Sequence, residues 1–305
     1  VQVNIRTSTH IQAADEGKRR TNLVLAWVVA FGLGVLVVLG AVQAVASALG
    51  AEDGNVASQI GELVGNAGTI VVVGLWIVLY ERRSFRSVGF RGAGVGQFVG
   101  GFAGGVVLFS IPLVLLWLMG SYELGASEHT ATGLSALLPV LLLIPVWLVQ
   151  DTAEETVTRG FLFQRHGVVL RSWPAILVVS IGFAVVHLAF DPVVLTNIML
   201  VGIFFNFLTL AYESIWVASG VHAGWNMAQG QIYGIPVSGI PRDYSLFDFG
   251  PAGEASVVLS GGDFGVEGSV IAIVVLVVAC VWSYRYYLGI EATRGPATPT
   301  AESAA

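Results

Sequence analysis

The chain has 305 residues, 55% of them hydrophobic and 11% charged, against about 25% charged in an ordinary soluble domain. That composition excludes a conventional water-soluble globule, and a net charge of −6 argues against a nucleic-acid partner, which asks for a basic face. What remains is a polytopic protein whose first partner is the lipid bilayer.

Taken in chain order, residues 1–22 read as a solvated cytoplasmic tail. Apolar runs follow near 23–48, 59–80, 95–119, 134–164, 173–190, 195–211, 214–230 and 267–288, most of them near the roughly 17–25 residues that cross a hydrocarbon core. The first has no small-residue cleavage pattern behind a short core and reads as a span, not a signal peptide. The glycine-rich GAGVGQFVGGFAGG at 92–105 lacks a preceding strand, so it reads as a close helix contact and not a nucleotide loop. At 1.5 Å per residue the fourth run measures roughly 46 Å, so it must tilt, kink at Pro139 or Pro145, or protrude. The single cysteine, Cys280, lies in the last run and permits no intramolecular disulfide. The expectation is an all-α, polytopic membrane helical bundle of about eight transmembrane helices. It forms one embedded domain over 23–290 with a motif-bearing core at 134–239, followed by a disordered tail over 291–305.

Charges between the runs orient the bundle. Lys18, Arg19 and Arg20, then Arg82, Arg83, Arg86 and Arg91, then Arg285 and Arg294 mark one side. Glu52 and Asp53, Glu123 and Glu128, and Asp243, Asp248, Glu254 and Asp263 mark the other. By the positive-inside rule both termini are cytoplasmic, the protein is multi-pass in the cell membrane, and 231–266 is external. Arg165, His166 and Arg171 read as solvated interface residues, and Trp147, Trp173 and Trp216 as interface anchors or packing.

Ionisable side chains in a spanning helix cost about 2.5–3.5 kcal/mol each on insertion scales, so each asks for a reason. WLVQDTAEETVTRGFLFQRH at 147–166 places Asp151, Glu154, Glu155 and Arg159 at the end of an uncharged run. Glu155 and Arg159 are four apart, on one helix face and in the favourable acid-before-base order. Glu154 points about 100° away from that face and is the carboxylate left free for chemistry. In GFAVVHLAF, Phe183 sits one turn before His187; in GVHAGWNMAQG, His222 sits one turn before Asn226. Counted from the arginine-rich side, the helices carrying Glu154, His187 and His222 bring them to similar depth. A shared polar cavity open towards the cytoplasm is therefore expected. Taken singly, each group has a packing explanation, such as an interfacial salt bridge or interhelical hydrogen-bond glue; the matched depth favours a site.

EETVTRG, FAVVH and HAGWN together resemble the CPBP family of intramembrane proteases (CAAX proteases and bacteriocin-processing enzymes, also called the Abi family). The family pattern of Glu-Glu-x-x-x-Arg, Phe-x-x-x-His and His-x-x-x-Asn is met by Glu154, Glu155 and Arg159, by Phe183 and His187, and by His222 and Asn226. Gly202 and the GIPVSG at 234–239 also resemble prokaryotic members. Thr158 stands where members often carry an aromatic, a departure expected to touch packing only. The resemblance implies a membrane endopeptidase whose substrate is a peptide or protein, in some members prenylated. It implies Glu154 as the base that activates water, His187 as its helper, Glu155 braced by Arg159, and His222 with Asn226 stabilising the oxyanion. No cofactor is expected; the rival is Zn²⁺ or another divalent metal held by Glu154, His187 and His222. The helix-borne His-Glu-x-x-His signature of zinc proteases is absent. Competing functions are a catalytically silent bacteriocin-immunity or scaffold protein and a proton-coupled transporter, although no related broken-helix halves appear. Oligomeric state is not legible in the sequence.

Overall fold

The computed structural model describes residues 3–125, 131–253 and 255–294. Glu128, Glu254 and most of the expected C-terminal tail lie outside the described residues. Eight helices make the bundle in chain order: α1 Leu23–Ala48, α2 Val56–Glu81, α3 Val95–Leu118, α4 Gly133–Leu170, α5 Ser172–Val185, α6 Pro192–Tyr212, α7 Trp216–Met227 and α8 Val270–Arg294. Side-chain oxygens of Asn22, Asn55 and Asp191 accept first-turn amides and start α1, α2 and α6.

Six of these helices, not the expected eight, are long and apolar enough to cross a membrane; α5 and α7 are not. The physical reason is length, and for α7 enclosure within protein as well. Every residue from Ala218 to Met227 is inside protein, and α7 continues only through a wider turn, Ala228–Ile232, that carries Gln229 and Gln231. A helix that meets helices on all sides instead of lipid is not held to lipid-facing hydropathy. α5 ends where Leu188 takes a left-handed backbone at φ 56°.

Close approach of α3 to α7 fixes the helix that bears His222 and Asn226. A Cβ added to Gly105 would lie 2.1 Å from the Val221 carbonyl oxygen, and one on Gly224 would lie 2.0 Å from that of Phe102. Gly101 and Gly220 meet the opposite backbone in the same way. Gly224→Ala is therefore expected to push the helices apart and destabilise the protein by about 1–3 kcal/mol or more, read as a lowered melting temperature of the detergent-solubilised protein.

The N-terminal segment is not a solvated tail. Val3, Ile5, Ser8, His10, Ile11, Ala13 and Ala14 are buried beneath the end of α4. Glu213 anchors the segment by accepting from the Ser8 and Thr9 hydroxyls and from the His10 amide. His10 Nε2 lies 2.9 Å from the Arg159 carbonyl oxygen. Arg165, which donates to the Ala14 carbonyl, is 4% exposed, and His166, which meets the Trp27 indole of α1, is 1% exposed; neither is solvated at an interface. Among the arginines counted for orientation, Arg83 is also internal, bound to Glu81, Ser87 and Gln164.

Burial holds the His10 imidazole well below its ordinary value of 6.5, at about 4, with Arg91 and Arg83 adding to the effect and the Arg159 carbonyl opposing it. The folded segment thus takes up its proton later than an undocked one. Docking is fully favoured above about pH 6.5 and weakens as pH falls towards 4. Limited proteolysis of residues 3–20 should accelerate across that window, and His10→Gln should flatten the dependence.

At the opposite pole two small sheets tie the long 231–266 segment down. β1 Tyr122–Leu124 pairs antiparallel with β4 Phe249–Pro251, and β2 Ala131–Thr132 pairs parallel with β3 Tyr244–Ser245. At the chain's other end α8 runs on to Arg294, which binds Glu213 and Glu291, so residues 291–294 are helical and not part of a disordered tail.

Candidate active site

The acidic motif lies where α4 changes geometry. Regular helix ends at Glu155, and Thr156–Phe163 forms wider π-helical turns, all buried. Such turns often sit at functional sites because they redirect side chains at the cost of poorer hydrogen bonds. Thr156 and Thr158 hydroxyls donate back to the Thr152 and Glu154 carbonyls, relieving part of that cost.

Glu155 is fully buried and committed. Its Oε1 accepts from Arg159 Nη1 at 2.8 Å and from His222 Nδ1 at 3.0 Å. The Arg159 guanidinium lies between the rings of Phe183 and Phe205, at 4.5 and 5.1 Å, and also donates to Thr158 and to the Gly202 carbonyl. Thr158 therefore does more than fill the place of an aromatic: its hydroxyl accepts from the arginine. Gly202 is needed because a Cβ there would press on Ser180 at 2.8 Å.

Glu154 turns the other way. Its side chain keeps 29% exposure and faces His222 Nε2 at 3.8 Å. Together with His187, His222, Asn226 and Phe183 it lines a cavity of about 240 Å³. His187 Nδ1 bonds the Phe183 carbonyl oxygen at 2.7 Å, which fixes the ring and leaves Nε2 for the cavity. Two rungs join α4 to α7, with Glu155 opposite His222 and Asp151 opposite Asn226, the latter with Asn226 Nδ2 donating to Asp151 Oδ1 at 2.7 Å. Because the helices run antiparallel, the two acids and their two partners, each pair one turn apart, meet in reverse order.

The cavity is not bounded as its expected cytoplasmic opening requires. Its walls include Val237, Ser238, Ile240 and Arg242 from the 231–266 segment, and Glu267 just beyond it. Gln43, Glu62 and Asn66 come from the ends of α1 and α2 nearest that segment. It therefore lies towards the pole that carries the 231–266 segment and away from the arginine-rich one. Glu154, His187 and His222 do line one cavity, as the matched depth predicts; the count does not give its side, because α5 and α7 are short and α4 continues well past its apolar run.

A family model described as type II CAAX prenyl endopeptidase Rce1-like matches residues 136–228. That stretch is a domain of this family. No curated protein and no solved structure matches the chain. The Rce1-like domain contains Asp151, Glu154, Glu155, Arg159, Phe183, His187, His222 and Asn226, which are the residues built above. The facing wall lies outside it, where Arg242 binds Glu62 at 2.9 Å and rests over the ring of Trp147, which is packed inside the protein and not at a membrane interface.

Sequence reasoning passed over this wall and left Asp151 without a role. Glu62 and Asn66, one turn apart inside an apolar run, were the available signal. Among the described residues no three His, Cys, Asp or Glu side chains converge as a metal-holding group. His222, whose Nδ1 meets Glu155, keeps its Nε2 towards Glu154.

Proposed function

We propose that the protein is a multi-pass intramembrane endopeptidase that hydrolyses a peptide bond in a lipidated or membrane-associated substrate with water activated by Glu154. One observation carries this reading: two adjacent glutamates have opposite environments. Glu155 is fully buried and held by Arg159 and His222, while Glu154 projects into the cavity with 29% exposure. The first braces; the second can accept a proton.

His187 Nε2 is the complementary partner for the same water. His222 and Asn226 lie beside Glu154 and carry the N–H groups that an oxyanion requires when water adds to a carbonyl. The proton taken by Glu154 passes to the leaving amine as the carbon–nitrogen bond breaks, so the glutamate returns unchanged. No metal is assigned a step. Purified protein in detergent should cleave a fluorogenic prenylated CAAX-type peptide, and the rate should survive a divalent-metal chelator; loss to the chelator and recovery with zinc would contradict the metal-free form.

The arginine distribution supports cytoplasmic termini in a plasma membrane, and with that orientation the cavity wall built from 231–266 faces outward. A thiol at the exposed position 256, made as Ser256→Cys in a Cys280→Ser background, should react with an impermeant maleimide added to intact cells. Reaction only after lysis would reverse the orientation.

A further inference from the structure

Asp151 is completely buried, and its Oδ2 has no hydrogen-bond partner among the described residues. An aspartate at the centre of a spanning helix is costly, and a half-satisfied one is the more so. Its Oδ1 accepts from Asn226 Nδ2 at 2.7 Å and lies 3.5 Å from His222 Nε2. The Oδ1 atom is an acceptor here, whereas a carboxamide in its place would have a donating and an accepting end. If the Asn226 amide were turned over, its carbonyl oxygen would face the carboxylate oxygen.

We infer that Asp151 is a positioning residue which selects the Asn226 orientation that presents its NH₂ group, and not its carbonyl, at the reacting end of the cavity. One N–H of that group is held by Asp151, and the second remains for the developing oxyanion. On its other side Asp151 closes the acid flank around His222, opposite the Glu155 rung. Interhelical glue alone would be served by a donor–acceptor pair of either sense; here Asp151 Oδ1 accepts and Asn226 Nδ2 donates, which fixes the sense of the amide. This inference rests on the endopeptidase reading.

The test is a double-mutant cycle on the full chain in detergent, with the fluorogenic prenylated CAAX-type peptide as probe. Asp151→Asn keeps the shape but can face Asn226 with either end of its amide. It should lower kcat about 10–100-fold, as loss of a partner that orients a reacting group does, with KM little changed. The melting temperature should hold, because the carboxamide keeps the shape of the side chain and can still accept from Asn226. In an Asn226→Ala background the same change should add nothing further. Asp151→Ser is measured in parallel and read in the same way, so that poor folding of one variant does not decide the matter. Wild-type kcat in these variants, with Glu154→Gln inactive, overturns the positioning role alone. Losses of kcat and melting temperature that fall together and add to those of Asn226→Ala overturn it in favour of a structural rung. An inactive wild type removes the endopeptidase reading, and this inference with it.

Discussion

Glu154→Gln is expected to leave a folded protein that cleaves at least 10²–10⁴-fold more slowly, the usual contribution of a general base. That range corresponds to about 3–5 kcal/mol of barrier. The fold should tolerate the change because Glu154 is the partly exposed member of the pair and lines a cavity. A carboxamide has nearly the same size and can still meet water, but it cannot take water's proton. Asn226→Ala removes a donor and not the base, so its loss should be about 10²–10³-fold. A Glu154→Gln protein as fast as wild type would end the catalytic reading and return the silent-scaffold and transporter alternatives to the front.

Arg159→Ala should have the largest effect on stability. The guanidinium is 1% exposed, lies between two phenylalanine rings and bonds Glu155, which is fully buried with its Oε2 already unpartnered. Removing the arginine leaves a buried carboxylate without its counter-charge and with His222 as its remaining partner, a change that costs about 3–5 kcal/mol. It also frees Glu155 from its grip on the histidine ring, so the remaining folded fraction should be impaired in kcat. Arg159→Lys should recover part of the stability only, since an ammonium restores the charge but not the planar group between the rings. Thermal melts of the three proteins in one detergent decide this; an Arg159→Ala melt that matches wild type would show that the pair is not structural.

Local spacing made much of this site legible and long-range packing hid the rest. The i,i+4 relation of Glu155 to Arg159 and of His222 to Asn226, with Glu154 off the first face, follows from helix geometry alone. The apolar runs likewise located the long helices. The burial of Ile5, His10 and Ile11 could not be read, because short polar-interrupted turns carry no periodicity and are held by Glu213, some 200 residues away. Arg242 and Glu62 are 180 residues apart, so their pairing on the cavity wall is purely tertiary. α7 was read as a span because its apolar content matches one, whereas its polar residues are tolerated by enclosure within protein. Asp151 was visible as an anomaly, but its partner lies on another helix.

The most direct measurement is mass analysis of a prenylated CAAX-type peptide incubated in ¹⁸O-labelled water with purified wild type and with Glu154→Gln at equal folded concentration. Water activated by Glu154 should yield one cleaved bond whose new carboxylate carries the label, in the wild-type reaction alone. An intact peptide with wild type, or the same labelled product at the same rate with Glu154→Gln, would contradict it.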